Sequence, residues 1–184
     1  MDSLENQLLI AMPSLGGSFF NRTVTYICEH NEEGAMGLII NLPVNVTLNE
    51  LLSQLDTKKQ NLPELEQLVL TGGPVSPDRG FVLHSPQSGW SSSLALSDDI
   101  MITTSKDILM ALGTELSPPH YLVTLGYAGW GPGQLEQEIQ ENAWLTTPAN
   151  SEILFETPID QRWQKAAQQL GIDVAYLSSE IGHA

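Results

Sequence analysis

The tripeptide Cys28-Glu29-His30 places a thiol, a carboxylate and an imidazole side by side, and these residue types serve in nucleophilic catalysis. A thiolate nucleophile needs a nearby base or cation that lowers its pKa. Cys28 and His30 share one face of a predicted strand, but Val24 and Tyr26 share it too. This pattern favours a small buried cysteine and a structural role for His30 in the turn that ends the strand.

Metal binding is the other chemistry that these residue types could support. A protein metal site needs three or four converging ligands. The chain has one cysteine and four scattered histidines, without paired cysteines or a His-x-x-x-His spacing. We therefore predict neither a metal site nor a cofactor.

Two glycine-rich segments follow predicted strands. Gly129-Trp130-Gly131-Pro132-Gly133 precedes a predicted helix, a position at which backbone N–H groups can hold an anion. However, no P-loop lysine follows, and Glu136 and Glu138 already occupy the positive end of the helix dipole. A tight structural turn with Trp130 packed over it explains this segment, and Gly72-Gly73-Pro74 also has the composition of a turn.

Polar residues beside apolar runs could line a binding groove. Arg79, Asn41 and His84 are of this kind and could face Glu29 and His30, although strand-end capping explains them equally well. The candidate binding surface therefore contains nine residues from the segments discussed above: Glu29, His30, Asn41, Gly72, Gly73, His84, Gly129, Trp130 and Gly131.

Strand-like and helix-like segments alternate along the chain and must position these candidates. Strands are predicted at Leu8–Met12, Thr23–His30, Ala35–Asn41, Leu68–Thr71, Gly80–Ser85, Ile100–Thr103, Tyr121–Tyr127 and Ile153–Phe155. Helices are predicted after the capping residue Thr47, at Ser105–Leu112 and Gln134–Trp144, and from Pro158 to Leu170 with Gly171 as the stop.

The connections between these segments predict the fold class. The short turn Asn31–Gly34 predicts an antiparallel hairpin, while strand–helix–strand units predict some parallel pairing. We expect an α+β fold, with one domain over residues 1–184. A mixed β-sheet with antiparallel hairpins and βαβ crossovers packs against about four helices.

Composition restricts the classes of partner. The net charge is −15, and the seven basic residues are dispersed, with only Lys58 and Lys59 adjacent. This distribution disfavours direct binding to nucleic acid or to anionic membranes, and it leaves a protein partner as the expectation. The single cysteine, the acidic N-terminus and the short apolar runs predict a cytoplasmic location.

Several sequence blocks together resemble the bacterial YqgE/AlgH family over essentially the whole chain. They are Leu8–Pro13, Cys28–Gly37, Asn41-Leu42-Pro43, Gly72–Val75, Gly80–His84, Gly126–Trp130, Gln134–Glu136 and Arg162-Trp163. The resemblance implies a small α+β protein with a mixed sheet. It carries the label of transcriptional regulator but assigns no catalytic residues.

The chain departs from the family pattern at two places. The family usually has acidic residues and a proline where this chain has Gly16-Gly17-Ser18, and it usually has an arginine where this chain has Leu42. If either position contacts a ligand in the family, this chain binds that ligand differently or not at all.

The sequence favours a non-enzymatic binding or regulatory protein that acts through protein–protein contacts. The expected contact surface lies near the Glu29–Gly34 turn, His84 and the Gly129–Gly133 loop. Two alternatives remain open. One is an enzyme or small-ligand binder with a site near Glu29, His30, Asn41 and His84. The other is a transcriptional regulator, for which direct DNA binding is disfavoured by charge.

Overall fold

The computed structural model describes residues 3–11, 22–56, 58–59 and 61–171. Within these ranges the chain forms a ten-stranded sheet and four α-helices, which confirms the predicted α+β class. The strands are β1 (Gln7–Ala11), β2 (Val24–Asn31), β3 (Gly34–Ile39), β4 (Pro43–Thr47), β5 (Leu68–Thr71), β6 (Val75–His84), β7 (Ser93–Ala95), β8 (Met101–Thr103), β9 (Tyr121–Trp130) and β10 (Trp144–Pro148). The helices are α1 (Leu48–Leu55), α2 (Lys106–Ala111), α3 (Gln134–Gln140) and α4 (Arg162–Gln169).

The sheet is mixed, as the sequence predicts. Its main path has the strand order β10-β1-β2-β3-β9-β6-β8-β7, and every pairing along this path is antiparallel. The predicted hairpin is β2–β3. β5 pairs with β9 in parallel and with β4 in antiparallel fashion. β8 and β9 both lie antiparallel to β6 and are joined through α2, so they form a βαβ crossover with β6 between them.

The chain crosses over the central strand β9 between β5 and β6. Thr124 and Leu125 of β9 pair with β5 on one side and with β6 on the other, so these two strands flank β9 on opposite edges. The connection between them is only Gly72-Gly73-Pro74. A Cβ atom at Gly72 would lie 2.3 Å from the Gly126 carbonyl oxygen, so the two backbones pass in direct contact.

Helices cover both faces of the sheet. On one face, α4 and the π-helical turn Glu152–Glu156 pack over a core that includes Tyr26, Leu83 and Trp163. Because side chains alternate along a strand, Val82 and Val123 point to the other face, where α1 and α2 cover them. α3 packs on the same side as α1 and α2 but farther along the sheet, through Leu135. In the described ranges, no helix has the length and apolar composition needed to cross a lipid bilayer.

Local chemistry accounts for the start of α1. The Thr47 hydroxyl accepts a hydrogen bond from the Glu50 backbone N–H at 3.2 Å and donates one to the Glu50 carboxylate at 3.3 Å. The predicted capping residue is therefore confirmed. α2 begins after Ser105, also as predicted.

Tertiary contacts override the sequence pattern in the last third of the chain. The predicted helix Gln134–Trp144 ends at Gln140, because Asn142 adopts a left-handed conformation (φ 63°) and Trp144 starts strand β10. The predicted strand Ile153–Phe155 is instead part of the π-helical turn, which packs against α4. Strands β4, β7 and β10 were not predicted, and the Gly16–Ser18 loop lies outside the described residues.

The backbone crossing predicts that Gly72→Ala destabilises the protein. The added methyl group meets a main-chain oxygen that cannot move independently, so we expect a loss of about 2–3 kcal/mol in the free energy of unfolding. Gly80→Ala in β6 is the matched control, because its Cβ would lie 3.9 Å from a leucine side chain. That variant should be neutral or gain up to about 1 kcal/mol. Urea denaturation followed by circular dichroism measures both, and equal midpoints would contradict a tight crossing.

Candidate functional site

The four polar residues of the predicted small-ligand site do not converge. His84 is fully buried (0% exposed), with Nδ1 at 2.8 Å from the Ser85 carbonyl oxygen and Nε2 at 2.7 Å from the Thr103 hydroxyl. The Asn41 amide accepts from the Val24 N–H at 2.8 Å and donates to the Arg22 carbonyl at 3.0 Å. His84 therefore contributes to no contact surface, and Asn41 ties two chain segments together.

His30 links three segments of the fold. Its Nδ1 accepts a hydrogen bond from the Leu4 N–H at 2.9 Å, so its Nε2 carries the proton and donates to Glu136 in α3 at 3.1 Å. This hydrogen bond is the main reason why the pKa of Glu136 lies below its usual value. Ser3, Asn31, Glu32 and Gln140 surround the pair in a shallow depression of about 600 Å³.

The glycine-rich segment Gly129–Gly133 is only partly a loop. Gly129 and Trp130 belong to β9 and pair with Met36 and Ala35, which corrects the prediction that the strand ends at Tyr127. The Gly131 N–H is bonded to the Gln134 side chain at 3.0 Å.

Trp130, the tryptophan that the structural interpretation expected to be packed over the turn, is buried. Its indole N–H donates to Glu138 at 3.0 Å, and the Trp144 indole N–H donates to the same carboxylate oxygen at 2.8 Å. The two rings meet edge to face, with centroids 6.1 Å apart. Glu138 thus joins both tryptophans to α3.

Cys28 lies beside an open groove but is itself buried. Burial and the neighbouring Glu29 carboxylate raise the pKa of its thiol far above the usual value. Cys28 is therefore held in the unreactive thiol form.

The groove beside Cys28 encloses about 660 Å³ and is named here the Arg79 groove. It lies on the same sheet face as α4. Its apolar lining consists of Met36, Phe81, Leu94, Ala95, Leu96, Ile102 and Tyr127, and its charged lining consists of Glu5, Glu29 and Arg79. Sequence reasoning named Glu29 and Arg79 as groove residues, but it missed β7, which supplies Leu94 and Ala95. The run Leu94-Ala95-Leu96 within a polar segment was the available signal.

Aromatic packing shapes one side of the Arg79 groove. The Arg79 guanidinium lies 5.1 Å from the centroid of the Phe81 ring, a cation–π arrangement. Phe81 in turn meets Tyr127 edge to face at 6.0 Å. Among the described residues, Arg79 forms no ion pair with a carboxylate.

The described residues offer no obvious metal centre. In residues 3–11, 22–56, 58–59 and 61–171, no three His, Cys, Asp or Glu side chains are grouped so that they could hold an ion. Three surface depressions contain residues that the sequence analysis named as candidates: the Arg79 groove, the depression around His30 and Glu136, and a smaller one of about 230 Å³ that is lined by Glu29 and Trp130.

Comparison with known proteins identifies the family. The AlgH-like family model matches residues 8–175, which is most of the chain. The chain belongs to the AlgH-like family. The resemblance drawn from the sequence blocks is thereby confirmed.

Relatives and solved structures of AlgH-like proteins agree with this assignment. A UPF0301 protein from Colwellia psychrerythraea is 63% identical over the whole of both chains. One from Vibrio cholerae is 52% identical over 99% of this chain and 100% of its own length. The solution structure of the AlgH protein from Pseudomonas aeruginosa has a TM-score of 0.80 at 43% identity, covering 97% of this chain and 96% of that chain. These names specify no activity.

A Corynebacterium diphtheriae protein of known structure supports the fold alone. It matches with a TM-score of 0.70 at 19% identity, over 91% of this chain and 87% of that chain.

The His30–Glu136 pair predicts a pH-dependent contribution to stability. Because the pKa of Glu136 is lowered in the folded protein, its stabilisation is present above the usual value of 4.5 and is lost as pH falls through the folded value. Glu136→Gln should therefore be less stable than wild type at pH 7, and the difference should shrink towards pH 3. Denaturant midpoints across this range measure the effect. Glu115→Gln, at an exposed site, is the control and should show no comparable narrowing.

Proposed function

We propose that this AlgH-like chain is a non-enzymatic binding protein that acts through protein–protein contacts at the Arg79 groove. The observation that carries the proposal is Leu94, which is 60% exposed while it lines a groove of apolar and charged side chains. Burying the exposed part of Leu94 against a partner removes apolar surface from water, and it contributes less than the value of about 1.5–3 kcal/mol for a fully exposed leucine.

The groove has the composition of a contact surface. Aromatic and apolar side chains form most of its lining, with charged groups among them. Arg79 and Tyr127 are of the residue types that recur in binding hot spots. Glu29 and Met36 of the β2–β3 hairpin also line the Arg79 groove. Glu29 is one of the surface residues proposed from the sequence.

An enzyme with a site near Glu29, His30, Asn41 and His84 receives no support from this geometry. His84 and Asn41 are occupied by internal hydrogen bonds, and the Cys28 thiol is buried. A proton-transfer site needs its groups within hydrogen-bond reach of one substrate. Glu29 lines the Arg79 groove and His30 the separate depression beside Glu136, so these two groups do not face one substrate.

A regulatory role through direct DNA contact is disfavoured by the positions of the cations. Arg162 is buried and donates to the Ile40 and Thr157 carbonyls. The Lys59 ammonium donates to the carbonyls of Met110 and Leu112. Lys165 pairs with Glu152 at 3.1 Å. Few basic groups remain to neutralise phosphates, so any regulation by this chain would act through a protein.

The proposal predicts that Leu94→Lys abolishes binding of partner proteins that the control variant Leu116→Lys still binds. Tagged wild type, Leu94→Lys and Leu116→Lys are expressed in the source organism, cross-linked and compared by quantitative mass spectrometry. Leu116 is the control because it is 69% exposed and lies outside the Arg79 groove. We expect at least a tenfold loss of specific cross-linked proteins for Leu94→Lys alone. Equal recovery from all three proteins would contradict the proposed function.

A further inference from the structure

We propose that the Arg79 groove and the free edge of β7 together bind an extended segment of a partner protein, rich in alternating apolar and basic residues, as an added β-strand. This inference rests on the proposed function and specifies the mode of contact and the chemistry of the partner. β7 is the last strand of the sheet path and pairs with β8 alone among the described strands.

The hydrogen bonds of β7 leave one set of backbone groups pointing outward. The Thr104 N–H donates to the Ser92 carbonyl, and the Leu96 N–H donates to the Ile100 carbonyl. In an antiparallel ladder these contacts alternate, so Leu94 also faces β8 with its backbone groups. The N–H and C=O groups of Ser93 and Ala95 therefore point away from the sheet, where another strand can pair with them.

The side chains of β7 fix which face of an added strand meets the groove. Leu94 is paired with Ile102, and both side chains line the Arg79 groove. Alternate residues of a strand laid beside β7 would point to the same side of the sheet as Leu94 and lie next to it. Apolar residues at these alternate positions would cover Leu94, which is 60% exposed.

The charges of the groove favour basic side chains in the bound segment. Glu5 accepts only a 3.3 Å hydrogen bond from the His30 N–H, and Glu29 only a 3.3 Å hydrogen bond from Asn31, among the described contacts. Two carboxylates against the single guanidinium of Arg79 give the lining an acidic balance within a chain of net charge −15. A Lys or Arg on the bound strand would meet these carboxylates.

A second copy of the chain is the less favourable occupant of the same edge. Self-pairing would bring together two molecules that each carry a net charge of −15, and it would place each pair of groove carboxylates near another acidic surface. Like charges that face one another across an interface oppose association. By contrast, the basic side chains of a partner segment would be attracted to the groove carboxylates at this edge.

The test uses a displayed library of random decapeptides selected on the full-length protein. We expect enriched sequences with a net positive charge and alternating apolar residues. The leading peptide is then synthesised with a fluorescent label, once with an ordinary backbone and once with N-methyl groups on alternate residues, and binding is followed by fluorescence anisotropy. N-methylation of the residues whose N–H groups would bond to β7 should weaken binding at least tenfold, because it removes the backbone donors of the added strand.

Two protein variants test the same contacts from the other side. Ala95→Pro removes an outward N–H that the ladder with β8 does not use, and it should weaken the peptide at least tenfold. Ala95→Val keeps the N–H, so it should lose far less affinity for the peptide than Ala95→Pro does. The double variant Glu5→Gln and Glu29→Gln should reduce the preference for the basic peptide over a version with Glu in place of Lys and Arg. Thermal unfolding checks that each variant is folded.

The outcomes separate this inference from the proposed function. Equal binding of the methylated and ordinary peptides would overturn strand addition. So would a selection in which Ala95→Pro weakens the binding of none of the enriched peptides. Selection of acidic peptides would overturn the charge argument. Sedimentation that shows a wild-type dimer dissolved by Ala95→Pro would identify a second copy as the occupant and also overturn it. The proposed function stands or falls separately, on whether Leu94→Lys and Leu116→Lys differ in cross-linked partners.

Discussion

The fold depends on one close contact between backbones, at the point where Gly72-Gly73-Pro74 crosses β9. β5 and β6 must pair with opposite edges of the same strand, and three residues are all that join them. Only main chain without Cβ atoms fits there, because added Cβ atoms at Gly72, Gly73 and Gly126 would lie 2.1 to 2.5 Å from opposing backbone atoms. β9 also pairs with β3, so this crossing joins the hairpin half of the sheet to the half that carries β7.

The Arg79 groove follows from the same crossing. After Pro74, Val75 pairs with Tyr127, but the register then shifts until Gly80 pairs with Leu125. The four residues between Val75 and Gly80 stand opposite Gly126 alone, so they bulge outward and carry Arg79 to the side of Phe81. The residues that shape the groove are thus positioned by a steric requirement at the centre of the sheet.

An element could be predicted from the sequence when the interactions that determine it lie within a few residues along the chain. The β2–β3 hairpin and the start of α1 were predictable because their turn and capping chemistry lies within a few residues. The π-helical turn Glu152–Glu156 and the start of β10 at Trp144 were not, because packing on α4 and pairing with β1 decide them. The Gly72–Pro74 turn was predicted, but its crossing of β9 depends on partners about fifty residues away. For the same reason, sequence did not reveal that His84 is buried against Thr103.

The distribution of charge determines which contacts the surface of this acidic chain favours. Several of its few cations have structural partners inside the fold: Arg162 reaches the carbonyls of Ile40 and Thr157, and Lys59 those of Met110 and Leu112. The acidic groups therefore dominate the surface, and they repel other copies of the chain and anionic polymers. At the Arg79 groove this field meets exposed apolar side chains and the free edge of β7. The proposed partner segment, which is extended, apolar and basic, complements all three of these properties.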